Sequence, residues 1–282
     1  MQHHTVLGNT KFSFDQCPAD LCGILRVMGV RLAIVTDLHH GRDTGKVRGP
    51  QALALLTKIV GEIHLLEPDA VIELGDRLTD ENPEVDRQRL LELAHEFKRL
   101  PYPRHHLSGN HDMLAKSDQE AILGANLGNH AVEFKGWTLV FLETYDATTG
   151  GLLSNSTLRW LEETLKNCQT PVVVFSHQPL HGQWLEGNPY FETEYRQHAS
   201  PKNAELARQI FLESGKVRLC VSGHAHWFDN RTVDQIQYIT LLGPTESHWS
   251  DGVASGAWAL LELGETIQLE QFGLVPQRLG FS

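Results

Sequence analysis

The feature that most constrains this chain is an order repeated along it: a short apolar run, then a small residue or a turn, then a side chain able to bind a metal ion. Short runs rich in β-branched residues predict buried strands. The runs followed in this way occupy residues 31–36, 70–74, 104–107, 172–175 and 217–221. Because ligand groups gather at the carboxyl ends of parallel strands, this order predicts a site at one edge of a sheet.

The spacing of apolar residues predicts helices between the first three strands, at residues 50–66 and 83–100, each with a proline near its start. This alternation predicts parallel β-α-β units. After residue 131 the sequence becomes rich in β segments, with two further helices near 156–166 and 201–212. The β segments are 132–135, 138–143, 172–176, 218–222, 237–242, 257–263 and 266–272. We therefore expect an α/β fold in which a second sheet packs on the first and helices lie outside.

The length of 282 residues favours one catalytic domain, at 28–282, preceded by an N-terminal extension at 1–27. No apolar run approaches the length of a membrane helix, and the N-terminus lacks the pattern of a secretory signal. The cysteines match no zinc pattern and predict a reducing cytoplasm. They are Cys17, Cys22, Cys168 and Cys220.

The formal charge of −11, without a cluster of Lys and Arg, makes a long polyanion such as nucleic acid an unfavourable partner. A small phosphorylated substrate remains compatible with this charge, because a local dication dominates the field at contact distance. The sequence does not predict an oligomeric state.

The polar blocks that follow the strands contain carboxylates, imidazoles and one amide. In chain order they are Asp37-Leu-His39, Gly75-Asp76, Gly109-Asn110-His111-Asp112, Ser176-His177 and Gly223-His224-Ala225-His226. Each block alone is weak, since caps and turns use the same residue types. All five together, each after a predicted strand, favour a metal site strongly.

In these blocks the chain resembles the calcineurin-like metallophosphoesterases, over about residues 31–227. The resemblance implies a four-layer αββα sandwich and a centre of two transition-metal ions, divalent or of mixed valence. The first ion would be held by Asp37, His39, Asp76 and His226. The second would be held by Asp76, Asn110, His177 and His224, so that Asp76 bridges the two.

The chemistry implied by the resemblance is in-line attack of a metal-bound hydroxide on a small phosphate ester. Ligands without thiolate suit Mn, Fe or Zn, and the two carboxylates leave about two positive charges on the centre. Asn110 and His111 would contact the phosphate, and His111 would protonate the leaving oxygen. Asp112 is the second predicted catalytic residue. It and Asp80 are both candidates to orient His111, and Asp80 is equally a candidate helix cap.

Within the family the layout most resembles the class III cyclic nucleotide phosphodiesterase group, which implies a cyclic nucleotide or another small diester, or a monoester, as substrate. A Ser/Thr protein phosphatase is disfavoured, because Gly75-Asp76-Arg77-Leu78-Thr79-Asp80-Glu81 and Ser108 depart from the motifs of that branch. A nuclease, a nucleotide-diphosphate hydrolase and a non-catalytic scaffold are the alternatives.

Several neighbouring residues have two interpretations. Arg42, Lys46 and Arg48 either touch a substrate phosphate or lie in a solvated loop. The long connection at 182–200 either stacks substrate on its aromatic residues or packs them on the body. His40, His181 and His248 adjoin the blocks or lie in nearby loops, and we interpret them as surface or loop histidines.

Overall fold

The protein is described here as a computed structural model that covers residues 29–145, 151–193 and 195–281. The predicted extension at 1–27, with Cys17 and Cys22, lies outside the described residues. Cys168 and Cys220 are buried and free. In the part of the chain that is described, no helix is long and apolar enough to cross a membrane.

Two six-stranded mixed sheets form the body. The first has the order β12-β11-β10-β1-β2-β3, and the second has the order β4-β5-β6-β7-β9-β8. The strands of the first sheet are β1 (Val30–Val35), β2 (Ala70–Glu73), β3 (Arg104–His106), β10 (Trp258–Leu263), β11 (Ile267–Phe272) and β12 (Gln277–Phe281). Those of the second are β4 (His130–Phe134), β5 (Trp137–Leu142), β6 (Val172–Ser176), β7 (Val217–Ser222), β8 (Asp229–Val233) and β9 (Ile236–Thr240).

Helices cover the outer face of each sheet, which gives the four layers that the resemblance implied. One core cluster joins the two sheets, a second joins the first sheet to its helices, and a third joins the second sheet to its helices. The helices on the first sheet are α1 (Ala52–Leu66), α2 (Pro83–Lys98) and α3 (Lys116–Leu123). Those on the second are α4 (Asn155–Asn167) and α5 (Ala204–Ser214), and short 3-10 turns lie at Gly49–Gln51 and Arg196–His198.

The end of β1 is apolar at successive positions because both faces of the strand are covered. Leu32 and Ile34 face the other sheet, whereas Ala33 and Val35 face the helices. A strand covered on both faces needs apolar residues at successive positions. It pairs in parallel with β2, and β2 pairs in parallel with β3, so the predicted β-α-β units are confirmed.

The predicted partition of strands between the sheets was wrong at the C-terminus. The segments at 257–263 and 266–272 were expected in the second sheet, but β10 pairs antiparallel with β1, and β11 and β12 extend the first sheet from there. These strands lie on the side of β1 opposite to the side that pairs with β2. Strand direction and composition do not reveal such a pairing, because an antiparallel partner can arrive from anywhere along the chain.

Three elements were absent from the prediction. Both β8 and β12 are edge strands in which half-buried residues alternate with exposed ones, so neither contains an apolar run. Helix α3 has only eight residues and no side-chain cap at its start. Such elements form because neighbouring strands and helices hold them, which local sequence patterns do not register.

A buried polar network lies directly beneath the strand ends of the first sheet. The fully buried guanidinium of Arg77 donates to Glu73 (2.5 Å) and Gln119 (2.7 Å) and lies 3.0 Å from Asp112. Although burial favours neutral Glu73, the charge of Arg77 holds the pKa of its carboxyl below the usual value. One cation thus supports two buried carboxylates, and both accept backbone N–H groups near the site.

Replacing this guanidinium should destabilise the whole domain. Arg77→Met leaves two carboxylates buried without their cation, which we expect to lower the free energy of unfolding by about 3–5 kcal/mol. Arg87→Met, which removes an exposed pair with Asp118 at 3.7 Å, should change it by about 0.5 kcal/mol or less. Urea unfolding of both variants measures the difference. Equal midpoints for the two would show that the network does not stabilise the fold.

Candidate metal centre

The backbone at the strand ends is left-handed at most of the predicted ligands. Five of the seven have φ between 47° and 69°, and these are Asp37, His39, Asp76, His224 and His226. Residues other than glycine seldom adopt this conformation, although Asp and His do so more readily than most. Backbone strain of this kind persists where the surrounding structure enforces it, and it is typical of functional positions.

The first group of candidate ligands combines the end of β1 with the turn after β7. Asp37, His39 and His226 are buried, and one ligand atom from each lies within 4.8 Å of the others. The Nε2 atoms of the two histidines are 3.0 Å apart. Asp37 is fixed by N–H donation from His224 and by the hydroxyl of Thr36 at 2.7 Å.

The second group combines the end of β2 with the ends of β6 and β7. Asp76, His177 and His224 meet the same distance criterion, and Asn110 Oδ1 lies 3.2 Å from His177 Nε2. Asp76 Oδ2 is 3.3 Å from His177 Nε2 and 3.6 Å from His39 Nε2. This oxygen therefore lies between the two groups, where a bridging carboxylate is expected.

Three of the four candidate histidines are held by their outer nitrogens, and inner nitrogens lie close together in each group: His39 Nε2 is 3.0 Å from His226 Nε2, and His177 Nε2 is 3.2 Å from His224 Nδ1. The three donations are from His177 Nδ1 to the Leu74 carbonyl (3.0 Å), from His224 Nε2 to the His198 carbonyl (2.9 Å), and from His226 Nδ1 to Glu246 (3.2 Å). Where neither facing nitrogen carries a proton, their lone pairs repel at such separations unless a metal ion lies between them. Nitrogen ligands of one transition-metal ion, with bonds of about 2.0–2.1 Å, lie about 3 Å apart, so both groups fit such an ion.

The pKa values of the two histidines in the second group shift in opposite directions, which also favours a cation between them. Burial disfavours charged His177, but the Asp76 carboxylate outweighs burial and raises the pKa of His177 to about 9. Burial, reinforced by the charge of His177, lowers the pKa of His224 to about 3. A metal ion held by this pair would take the place of the proton that the Asp76 carboxylate favours on His177.

The two candidate partners of His111 have different positions. Asp80 Oδ1 accepts from His111 Nδ1 at 2.5 Å, and Asn82 rather than Asp80 caps α2. Asp112 is fully buried and accepts N–H groups from Asp76, Arg77 and Gly109 at 2.9–3.0 Å. Asp80 is therefore the partner in position to orient the imidazole, whereas Asp112, whose catalytic role stays a prediction, contacts the backbone that carries Asp76.

Glu246 is a buried part of the site that the sequence did not reveal. Its carboxylate orients His226 and also accepts from the hydroxyl of Tyr190 at 2.9 Å. The residue follows β9 in a turn rich in small and polar residues, which is the same signal that marked the other blocks. None of the five polar blocks includes it, although His248 follows it by two residues, at the spacing of Asp37 and His39.

The cavity at the centre has a volume of about 320 Å³. Arg42, Thr44, Tyr190 and Phe191 line it together with His111 and several candidate ligands. Of the aromatic side chains in residues 182–200, Tyr190 and Phe191 line the cavity, whereas Trp184 and Tyr195 are exposed.

The remaining candidates lie around the centre. The backbone N–H of Lys46 donates to Tyr190, and Arg48 is bound to the carbonyls of Gly45 and Gly252. Each of the three histidines that we interpreted as surface or loop histidines has a defined neighbour. His40 bonds Glu92, His181 is buried and bonds Asp229, and the His248 ring packs against Trp227 and Trp249.

The αββα fold and the paired ligand groups define a class of dinuclear metallophosphoesterases. A model of the family described as calcineurin-like phosphoesterase matches residues 30–228. The chain therefore belongs to the calcineurin-like phosphoesterase family. No curated protein matches the sequence.

Several solved structures share the fold. A dimetal phosphatase from Danio rerio is 19% identical with a TM-score of 0.73, and the alignment covers 90% of this chain and 98% of that chain. A purple acid phosphatase from yellow lupin (Lupinus luteus) seeds is 12% identical with a TM-score of 0.66, over 90% and 54% of the two chains. The protein described as the anchor in the inner membrane complex of Plasmodium is 14% identical with a TM-score of 0.58, over 90% of each chain. Such identities show a common fold alone.

The close packing around Asp37 predicts that a single methyl group disrupts the first ligand group. A Cβ at Gly223 would overlap the Thr36 hydroxyl and the Asp37 carboxylate. Gly223→Ala should therefore displace the carboxylate and lower metal affinity by about 10-fold or more. Gly61→Ala in α1, where nothing lies within 4 Å, is the matched control. Metal analysis after dialysis measures the effect, and full retention of both ions by Gly223→Ala would contradict it.

Proposed function

We propose that the protein hydrolyses small phosphate esters with two bound transition-metal ions, either divalent or of mixed valence. The observation that carries this proposal is the paired set of buried ligands at a cavity that also presents His111. Such ions stabilise charge on a phosphate and supply a nucleophile at neutral pH. Imidazole, carboxylate and amide donors without thiolate favour Mn, Fe or Zn.

His111 is suited to protonate a leaving group. Its Nδ1 is held by Asp80, and its backbone N–H is held by Asp76 Oδ1 at 2.8 Å. Burial disfavours its charged form, but these two carboxylates outweigh burial and raise the pKa of His111 above the ordinary value. The raised pKa favours the imidazolium form, and Nε2 is the ring nitrogen that remains to donate a proton to a bound ester.

Turnover of a generic ester tests this function. Protein supplied with Mn²⁺ should hydrolyse bis(p-nitrophenyl) phosphate or the corresponding monoester. His111→Ala should lower kcat by about 10²–10⁴-fold and retain its metal, because the acid lies outside the ligand groups. His95→Ala, at an exposed position on α2, should behave as the wild type. Absence of turnover by the wild type with several metals would refute the function and favour a scaffold.

The size and charge of the molecule favour a small substrate over a polymer. The cavity is compact, and the net charge of −11 disfavours the long polyanion that a nuclease would bind. Within this limit we propose a phosphodiester such as a cyclic nucleotide, as in the class III group, or a phosphomonoester. The prediction that the protein is cytoplasmic rests on its cysteine usage.

Arg42 favours a second candidate substrate, an ester of a nucleoside diphosphate. Its guanidinium donates to the carbonyl of Asp80 at 3.2 Å, so Arg42 and His111 are attached to the same residue. The cation would then lie beside the proposed acid, on the side of the leaving group. A leaving group that carries its own phosphate would meet a complementary charge there.

The role of Arg42 can be separated from general damage by comparing substrates. Arg42→Ala should raise KM about 10-fold or more for a nucleoside diphosphate ester, since a hydrogen bond to a charged group contributes about 1.5–3 kcal/mol. The KM for bis(p-nitrophenyl) phosphate should change little. Arg48→Ala, whose guanidinium is bound to carbonyls beside the cavity, is the control. Equal losses on both substrates would exclude a second phosphate contact.

A further inference from the structure

Glu246 collects hydrogen bonds from three different parts of the site. Its Oε2 accepts from His226 Nδ1 at 3.2 Å and from the hydroxyl of Tyr190 at 2.9 Å. Its Oε1 accepts the backbone N–H groups of Ser247 and His248 at 2.9 and 2.7 Å. The side chain is completely buried. A buried carboxylate in this position is oriented by all its donors, so loss of one donor alters its hold on the imidazole.

Tyr190 is itself fixed to the turn that carries two ligands. Asn188 Oδ1 accepts the backbone N–H groups of Tyr190 and Phe191, both at 2.9 Å, and Asn188 Nδ2 donates to the carbonyl of Ala225. Ala225 stands between the two histidines of that turn. The Tyr190 ring centroid lies 5.0 Å from that of His226. The tyrosine therefore has little freedom to leave its carboxylate partner while the turn is intact.

The same hydroxyl also holds the opposite wall of the cavity. It accepts the backbone N–H of Lys46 at 3.1 Å, and its ring packs on Gly45, where an added Cβ would lie 3.3 Å from Tyr190 Cε1. Residues 42–48 contribute Arg42 and Thr44 to the cavity lining. One phenol thus joins a metal ligand, through Glu246, to the loop that faces the substrate.

We propose that Tyr190 is a positioning residue that couples cation binding at the first ligand group to closure of the 42–48 loop over the cavity. This inference rests on the proposed metal-dependent function. A cation bound at His226 would fix the imidazole and, through it, Glu246, which holds the tyrosine that accepts from Lys46. Coupling of this kind is reciprocal, so an ordered loop raises cation affinity by the same factor by which the cation stabilises the loop.

The test removes one oxygen atom from the full-length protein. Tyr190→Phe keeps the ring and loses both hydrogen bonds, and Tyr195→Phe, at an exposed position in the same segment, is the matched control. Mn²⁺ alone is the probe. Calorimetric titration measures its affinity, and hydrogen exchange of residues 42–48 with and without Mn²⁺ measures loop closure.

We expect Mn²⁺ to slow exchange of the Lys46 amide in the wild type and in Tyr195→Phe. In Tyr190→Phe, this protection should be lost and Mn²⁺ affinity at one site should fall about 10-fold, the lower end of the range for partners of metal-bound histidines. Unchanged affinity, or retained Mn²⁺-dependent protection in Tyr190→Phe, overturns the inference. A wild type that binds Mn²⁺ and closes the loop but hydrolyses no ester overturns the proposed function and supports the coupling.

Discussion

Hydrogen bonds that cross between the two sheets at their strand ends set the geometry on which the site depends. The backbone N–H of His224, from the second sheet, donates to Asp37 of the first, and His177 Nδ1 donates back to the carbonyl of Leu74. Each bond joins a candidate ligand to the opposite sheet. The packing of the apolar core between the sheets therefore sets the spacing of the candidate ligands. A change in how the sheets pack would change the distances between those ligands.

The part of the site that the sequence predicts well is the part governed by short-range order. Asp37 and Asp76 each follow a buried strand within a few residues, and parallel strands bring such positions together whatever the details of the helices. The structure gathers six of the seven predicted ligands into two groups, with Asn110 against His177 of the second group and His111 at the same cavity. The assignment of a role to each residue stays a prediction.

The parts that the sequence does not predict depend on long-range partners. Whether Asp80 or Asp112 orients His111 is decided by loop conformation, and both carry the same functional group. Glu246 matters through its contact with His226, twenty residues away along the chain. The edge strands β8 and β12 are likewise stabilised by the strands beside them. In each case the missing information is which surfaces meet, and local periodicity does not encode it.

The left-handed backbone of the candidate ligands restricts which residue types can occupy these positions. Asp and His tolerate that conformation through short or compact polar side chains, and both carboxylates of the set are Asp, with no Glu. Selection for metal binding and selection for chain reversal therefore act on the same few atoms. A protein of this fold that no longer bound metal ions would still need the same turns. Glycine or asparagine would be the expected replacements, because both adopt the left-handed conformation readily.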